Sequence, residues 1–475
     1  MSTLTLHDSM TREMRAVAPI DGDCYRFYCC GPTVYAPAHI GNFRSFVMQD
    51  VFRRVLECAG IKTKHVRNVT DVDDKTIRES IAQGKSLKDF TEHWKTKFQA
   101  DSAELNMLEP HIEPGAVDHI EHQIQMISQL VEKGNAYRGD DGSVYFRVAS
   151  FPGYGSLSRV DERELRLGAS QTANDSDEYE KDSLADFALW KGRKPEDGDN
   201  YWPSPWGEGR PGWHLECSAM SLAYLGETFD MHSGGVDLLF PHHENEIAQS
   251  ECCSGSTFAH HWFHITHLQV NGGKMSKSLG NFYTLDDLKE KGFNAAELRY
   301  VYLSGHYRHP LNFTLESLQA SRQAMGRLTK FEQTLAERAQ ADAPPSYESI
   351  CGLGDAGPFQ PAFDGLCRDM NTPDALGKTF TAIKGITVDQ LSVETAATFY
   401  QQFHFILAAL GLILPRKEET TEDDVPSDIR ALAEERWTAR QNKDWAASDT
   451  LRDQLADAGW LVKDGKEGYT VTPKS

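Results

Sequence analysis

Tyr25-Arg26-Phe27-Tyr28-Cys29-Cys30-Gly31-Pro32, then Ala38-His39-Ile40-Gly41-Asn42-Phe43, then Ile61-Lys62-Thr63-Lys64-His65-Val66 decide the fold of this 475-residue chain. Tyr25 to Cys30 is a short β-prone run stopped by Gly31-Pro32, so it reads as a buried strand meeting a turn. From Phe43 to Cys58 apolar residues fall at Phe43, Val47, Val51 and Val55, with Phe46 and Leu56 alongside. That is helical spacing, and Gly60 suits the C-terminal cap. Ile61 to Val66 reads as a second strand, ahead of the acidic turn Asp71-Val72-Asp73-Asp74. Strand, turn, helix and strand make a βαβ unit, whose ligands bind beyond the C-terminal ends of the strands. His39 falls there.

Working outward, residues 115–204 are less regular, with a hairpin expected over Tyr137 to Val148 around Asp140-Asp141-Gly142. Asp161 to Asp182 is polar and acid-rich and reads as a loop. The fold class expected is α/β: a Rossmann-like nucleotide-binding domain in halves 17–114 and 205–265, split by an inserted connective region at 115–204. Residues 316–413 read as a helical bundle. Arg416 to Pro426 is an acidic linker with Thr and Pro. The last unit, 427–475, is α+β: helices over Asp428–Asn442 and Trp445–Ala458, then a hairpin across Asp464-Gly465.

A chain of this length exceeds what one core organises, so several domains are expected. Hydrophobic residues at 40% and charged residues at 25% are ordinary for a globular protein. Met1 to Ile20 has no apolar core of a secretory signal, and Phe403 to Leu414 is too short to cross a bilayer and reads as buried helix. Nine cysteines without CxxC spacing argue against a disulfide framework and for a reducing compartment, so a cytoplasmic protein with no membrane role is expected. The net charge of −21 counts mildly against nucleic-acid binding. It constrains solubility and steering, however, and does not set the sign of a local groove.

Two constellations carry chemistry. Lys274-Met275-Ser276-Lys277-Ser278 follows Gly272-Gly273 and suits a mobile arm that brings two positive charges to a polyphosphate. His39 and Asn42, at a strand-to-helix turn, suit the other side of the same phosphates, where a helix N-terminus already favours anions. The second constellation is Cys30, Cys217 and Pro241-His242-His243-Glu244-Asn245-Glu246. With Pro241 in the first turn of a helix, His242 and Glu246 stand at i and i+4 on one face and can grip one ion. Zn²⁺ accepts thiolate, imidazole and carboxylate together. Spacing alone does not choose between Cys29 and Cys30, or between His242 and His243. The competing reading is plain: isolated cysteines are usually buried small hydrophobes.

In order along the chain come Tyr28-Cys29-Cys30-Gly31-Pro32-Thr33-Val34-Tyr35, His39 to Asn42, Pro211-Gly212-Trp213-His214-Leu215-Glu216-Cys217-Ser218-Ala219-Met220, His232-Ser233-Gly234-Gly235-Val236-Asp237, Phe240 to Glu246, and Lys274 to Asn281. This series resembles the cysteinyl-tRNA synthetases, a family of class I aminoacyl-tRNA synthetases, through nearly the whole chain. The resemblance implies zinc ligands Cys30, Cys217, His242 and Glu246. It implies catalytic roles for His39, Asn42, Lys274 and Lys277. ATP would be bound by His39, Asn42, Gly234, Gly235, Asp237 and Lys277, with Mg²⁺ accompanying it. It gives 266–315 as a region contacting the tRNA stem and 427–475 as an anticodon-binding unit. The family's histidine signature usually ends in histidine where this chain has Asn42, an amide that donates to phosphate but carries no charge.

The implied activity is ATP-dependent activation of L-cysteine to an adenylate, then transfer to the 3′-terminal ribose of tRNA(Cys), by a protein expected to be monomeric. Cysteine and serine differ too little in shape for packing to separate them. A borderline-soft ion prefers thiolate to alcohol, which makes the metal a selector. Trp213 would shape the cysteine pocket, against the competing reading of a core tryptophan. Two other functions compete: a ligase joining cysteine to an amino sugar, and a silent paralogue that only binds. Arg436, Arg440, Lys443-Asp444-Trp445, Asp449 and Arg452 resemble the synthetase's terminal unit and weigh against the first. The second should have lost His39, Lys277 or a zinc ligand, and none is missing.

Overall fold

The computed structural model describes residues 3–159, 186–275, 280–415, 425–465 and 468–473. Lys277, the acid-rich stretch from Asp161 to Asp182 and nearly all of the linker from Arg416 lie outside the described residues. The chain forms two compact units, Met1–Leu414 and Pro415–Ser475.

At the centre of the first unit is a four-stranded, wholly parallel sheet. Strand β1 (Cys24–Cys29) leads through helix α1 (Ile40–Cys58) to β2 (Lys62–Arg67). After a long excursion come α2 (Trp213–Leu225), β3 (Phe229–Gly235), α3 (Glu244–Ser254) and β4 (Ala259–Ile265). The sheet order is β4-β3-β1-β2. Tyr28 lies beside His232 on one neighbour and Val66 on the other. The βαβ reading holds, and α1 begins three residues earlier than its apolar spacing suggested. The reason is a cap: His39 is extended (φ −87°, ψ 162°), its Nδ1 accepts from the Asn42 N–H at 3.2 Å, and Asn42 Oδ1 accepts from the His39 N–H at 3.1 Å. This reciprocal pair satisfies two of the N–H groups that a helix start leaves open. Phe43, Val47, Val51 and Val55 are fully buried, and Gly60 beyond the last turn takes the left-handed φ of +79°.

The excursion between β2 and α2 carries helices Asp74–Ala82, Leu87–Glu104 and Ile120–Glu132, then an antiparallel sheet of Ala136–Arg138, Val144–Phe146, Phe187–Gly192 and Gly209–Pro211 in that order. The first two of these strands are the expected hairpin. Trp190, Phe146 and Phe187 share one hydrophobic cluster with Leu215 and Ala219 of α2 and Ala248 of α3. Beyond β4, strands Leu268–Val270, Gly273–Lys274 and Leu311–Phe313 form a small mixed sheet. Helices Leu315–Ala339, Tyr347–Cys351, Gln360–Cys367, Thr372–Gly385 and Val393–Leu410 follow. Phe403, Ile406 and Leu410 are buried, as expected of that apolar run.

Two buried polar devices join these parts. Asp50, in the middle of α1, accepts from Arg54 Nε at 2.8 Å, from an Arg299 guanidinium N–H and from the Leu108 N–H at 2.8 Å. Arg299, 1% exposed, also donates to the carbonyls of Leu410 and Leu105 at 3.0 and 2.8 Å. Sheet helix and bundle are thus tied through one carboxylate. The second device is at the start of the chain, where hairpin Thr5–Asp8/Glu13–Ala16 is sewn to residues far along it. Thr5 bridges Arg368, the Asp369 N–H donates to Thr5 O at 2.8 Å, and the His7 N–H donates to Asp369 Oδ1 at 2.9 Å, 362 residues apart. Asp8 accepts from the Trp262 N–H of β4 at 3.0 Å.

The second unit pairs helices Ser427–Gln441 and Trp445–Asp457 with the hairpin Trp460–Asp464/Tyr469–Pro473 around Val425, Ile429, Ala433 and Leu455. Arg436 grips Asp464 with two bonds, at 2.7 and 3.0 Å. Trp445 is 56% exposed, with the Arg440 guanidinium 5.5 Å from its ring centre.

Candidate metal and nucleotide site

The C-terminal edge of the parallel sheet gathers sulfur, imidazole and carboxylate in one buried place. Past the end of β1, Cys30 is held by its N–H on Ser233 O at 3.0 Å, and the Gly31 N–H donates to Asn68 Oδ1 at 2.8 Å. Gly31 has no substitute: a Cβ there would lie 1.6 Å from the Asn68 carbonyl oxygen. Strand alternation sends Cys29 into the core with Phe27 and Met231, which leaves Cys30 at the edge. Its Sγ lies 3.8 Å from Sγ of Cys217 in α2 and 3.7 Å from Glu246 Oε1 in α3. Glu246 Oε1 is 3.0 Å from His242 Nε2, and Oε2 is 2.9 Å from His232 Nε2.

A residue before proline is pushed out of helical geometry, and Phe240 is extended (φ −140°, ψ 132°), the one break within Leu239–His243. The helical course that continues into α3 therefore begins at Pro241, as expected, and His242 reaches Glu246 at i and i+4. Burial would lift the Glu246 carboxyl, but the His232 and His242 imidazoles pull it down to about 2. Burial would lower His242, but Glu246 and Cys217 raise it to about 10. For Cys217 burial again opposes, while bonds from Cys30 and His242 bring the thiol down to about 6.

Two donor quartets share this place: Cys30, Cys217, His242 and Glu246, and Cys30, His232, His243 and Glu246. Both are fully buried sets of the donor types that zinc accepts. A tetrahedral ion with bonds of about 2.3 Å to sulfur sets two thiolates about 3.8 Å apart, and the Cys30–Cys217 separation fits. The first quartet also has the richer thiolate content. The remaining histidines act as its backing: His232 orients Glu246, and His243 Nδ1 meets His264 Nε2 at 2.8 Å, whose Nδ1 meets Ser9 Oγ at 2.8 Å. Such outer contacts hold ligands in orientation. Trp213 is not a core tryptophan. It is 39% exposed and its ring stacks on His242, centres 4.4 Å apart.

The segments carrying His39 and Lys274 also meet. A Cβ on Gly41 would lie 2.9 Å from Met275 Cε and 3.0 Å from the His39 ring, so Gly41 is the gap into which Met275 fits. The Ile40 N–H donates to Tyr283 O at 2.9 Å, and His39 packs edge-on to Phe282. Lys274 is exposed on the short strand before Met275, and its carbonyl accepts from Asn281 Nδ2 at 3.1 Å. Gly234 and Gly235 close β3, and exposed Asp237 follows in a short 3₁₀ turn. A Cβ on Gly234 would meet the buried His243 ring and Leu238 at 2.8 Å, so that glycine is required by the protein's own packing, whereas a Cβ on Gly235 would clash only with the exposed Asp237 carboxylate, which can swing aside.

Sequence reasoning passed over His232, His264, His214 and Asn68 as site members, and weighed His243 only as an alternative to His242. His232 had a usable signal: it lies two residues before Gly234 at the C-terminal end of a strand, where ligands of parallel sheets gather. His214 Nδ1 lies 2.9 Å from His242 Nδ1, and nothing in the spacing announces that.

Comparison with known proteins agrees with this architecture. The family model for the class I (C) tRNA synthetase catalytic domain matches residues 16–323, and that for the cysteinyl-tRNA ligase anticodon binding domain matches residues 422–471. A cysteine–tRNA ligase of Opitutus terrae is 52% identical, covering 99% of each chain. One of Chlamydia muridarum is 44% identical over 98% of this chain and 99% of its own. Among solved structures, methionyl-tRNA synthetase of Mycobacterium tuberculosis in complex with methionyl-adenylate has the same fold, with a TM-score of 0.57 and 13% identity over 82% of this chain and 90% of its own. A class I parallel sheet, an inserted region, a helical bundle and a small α+β terminal unit, matched from end to end at this identity, place the chain in the cysteine–tRNA ligase family of class I tRNA synthetases.

Proposed function

We propose that the chain joins L-cysteine to tRNA(Cys) in two steps, through a cysteinyl adenylate made from ATP with Mg²⁺. The observation that carries this reading is the buried Cys30–Cys217–His242–Glu246 quartet at the C-terminal edge of the sheet. Those four residues would hold one Zn²⁺, which when bound supplies a thiophilic Lewis acid that favours thiolate over alcohol. Trp213, exposed and stacked on His242, forms a wall of the cysteine pocket. The N-terminal end of α1, His39 and Asn42 orient the triphosphate, and Lys274 and Lys277 bring positive charge as bonding shifts at the α-phosphate. Gly234, Gly235 and Asp237 face the adenosine.

Residues 266–315 contact the tRNA stem and 427–475 read the anticodon, with Trp445 as a stacking platform beside Arg440. We further propose a monomer acting in the cytoplasm; among the described residues no helix is long and apolar enough to cross a membrane.

The test is cysteine-dependent ATP–pyrophosphate exchange beside transfer of labelled cysteine to tRNA(Cys). Both should be positive. Exchange without transfer would point to the amino-sugar ligase, and neither, in zinc-replete protein, to a silent binding module. Two substitutions divide the steps. Lys277→Ala should slow exchange by about 10²–10³, the usual loss of one charge-stabilising donor, and leave the metal content alone; undiminished exchange would remove Lys277 from the site. Trp445→Ala should leave exchange untouched and weaken transfer through a higher KM for tRNA, by about tenfold for one lost stacking contact. An unaltered KM would sink the platform assignment.

A further inference from the structure

Far from the quartet, the last residue of α1, Cys58, meets the last residue of helix Tyr347–Cys351. Their Sγ atoms are 3.8 Å apart across 293 residues of sequence. Cys58 is buried, whereas Cys351 is part-exposed and borders an open surface depression with Glu57, Gly60, Lys62 and Tyr347. The surroundings are built around this pair. Tyr347 donates its hydroxyl to Glu57 Oε2 at 2.8 Å, and the Arg54 guanidinium lies 5.0 Å from the Tyr347 ring centre.

We propose that Cys58 and Cys351 form a peroxide-reactive dithiol, with Cys351 the attacking sulfur and Cys58 the resolving one. The two sulfurs are already in contact, so closing to a bond of about 2.05 Å needs a side-chain adjustment, not a new fold. The division of labour follows from position, because solvent and a small oxidant reach Cys351 and not Cys58. Hydrogen bonding agrees: the bond from Cys58, against opposing burial and with help from Tyr347, lowers the Cys351 thiol. The same bond, then burial, raises Cys58. Burial raises Cys24 and Cys252, the other two part-exposed cysteines.

In the first step the Cys351 thiolate attacks one peroxide oxygen. An S–O bond forms, the O–O bond breaks, and the departing hydroxide takes up the proton that the Cys351 thiol lost on ionising, leaving as water. The sulfur is now a sulfenic acid, oxidised by two electrons that the peroxide has accepted. In the second step the Cys58 sulfur attacks it; the S–S bond forms as the S–O bond breaks, and the departing hydroxide takes the Cys58 proton as water. The product staples the end of α1 to the bundle and is undone by a dithiol reductant.

The experiment uses the full chain, reduced and metal-loaded so that Cys30 and Cys217 are occupied, with hydrogen peroxide added at low molar ratio. Peptide mapping without reduction should find Cys58 linked to Cys351, two thiols lost, and both restored by dithiothreitol. In untreated protein, iodoacetamide should label Cys351 about tenfold faster than Cys24 or Cys252, as a more ionised thiol requires. Cys58→Ser should accumulate the sulfenic acid on Cys351, trapped by dimedone. Peroxide that modifies Cys24 or Cys252 while Cys58 and Cys351 stay reduced would overturn the proposal. A dimedone adduct on Cys58 in Cys351→Ser would overturn the assignment of roles.

Discussion

Cys217→Ser is expected to empty the metal site and abolish the preference for cysteine over serine. A serine hydroxyl stays protonated near neutral pH, so one of two thiolate donors would be replaced by a weak neutral one. Changes to residues that merely orient ligands cost about 10–100-fold in metal affinity, so loss of a ligand should cost at least about 100-fold. Metal analysis of the purified variant, beside pyrophosphate exchange with cysteine and with serine, reads both effects. One metal per chain with unaltered selectivity would hand the ion to the inner quartet of Cys30, His232, His243 and Glu246.

The largest effect on stability is expected at Asp50. Asp50→Ala leaves Arg54 and Arg299 buried around an absent carboxylate, and breaking a buried pair in this way costs about 3–5 kcal/mol. That is a large share of the roughly 5–15 kcal/mol that holds a domain folded. Equilibrium urea unfolding followed by fluorescence measures it, and a loss under about 1 kcal/mol would mean that the carboxylate is dispensable. The pH dependence has a definite sign. Burial opposes ionisation of Asp50, but Arg54 and Arg299 keep its carboxyl below the ordinary value. Its contribution is therefore complete above an unfolded-state pKa of about 3.9 and is lost as pH falls through the lower folded value.

Asp50 also marks where the sequence stops being readable. At i and i+4 on a helix, Asp50 and Arg54 look like a solvated surface pair, and only the partner Arg299, 249 residues away, turns them into a core device. The apolar face Phe43–Val47–Val51–Val55 was legible because burial of one helix face is a local pattern. Cys30, Cys217 and Glu246 were legible as chemistry, since few roles need thiol and carboxylate together. Cys29 could be separated from Cys30 by residue type only through the resemblance; physically, strand alternation separates them. Pro241 was legible as a helix start, because proline suits the first turn and pushes the residue before it, Phe240, out of helical geometry. His264 was hidden because a histidine on a strand gives no sign of which way its ring will find a partner.

The stitching of the Thr5–Asp8 strand to Arg368 and Asp369 has a consequence for synthesis on the ribosome. Thr5 and His7 are made long before their partners, the Arg368 and Asp369 backbone and the Asp369 carboxylate, which lie 362 or more residues later. At about 5–20 residues per second, the hairpin waits roughly 20–70 s for the segment that completes it. Through that interval its edge is open to other strands, a standing risk of mispairing. A nascent chain arrested before residue 368 should therefore lose its N-terminal residues to protease, and one arrested well beyond it should keep them.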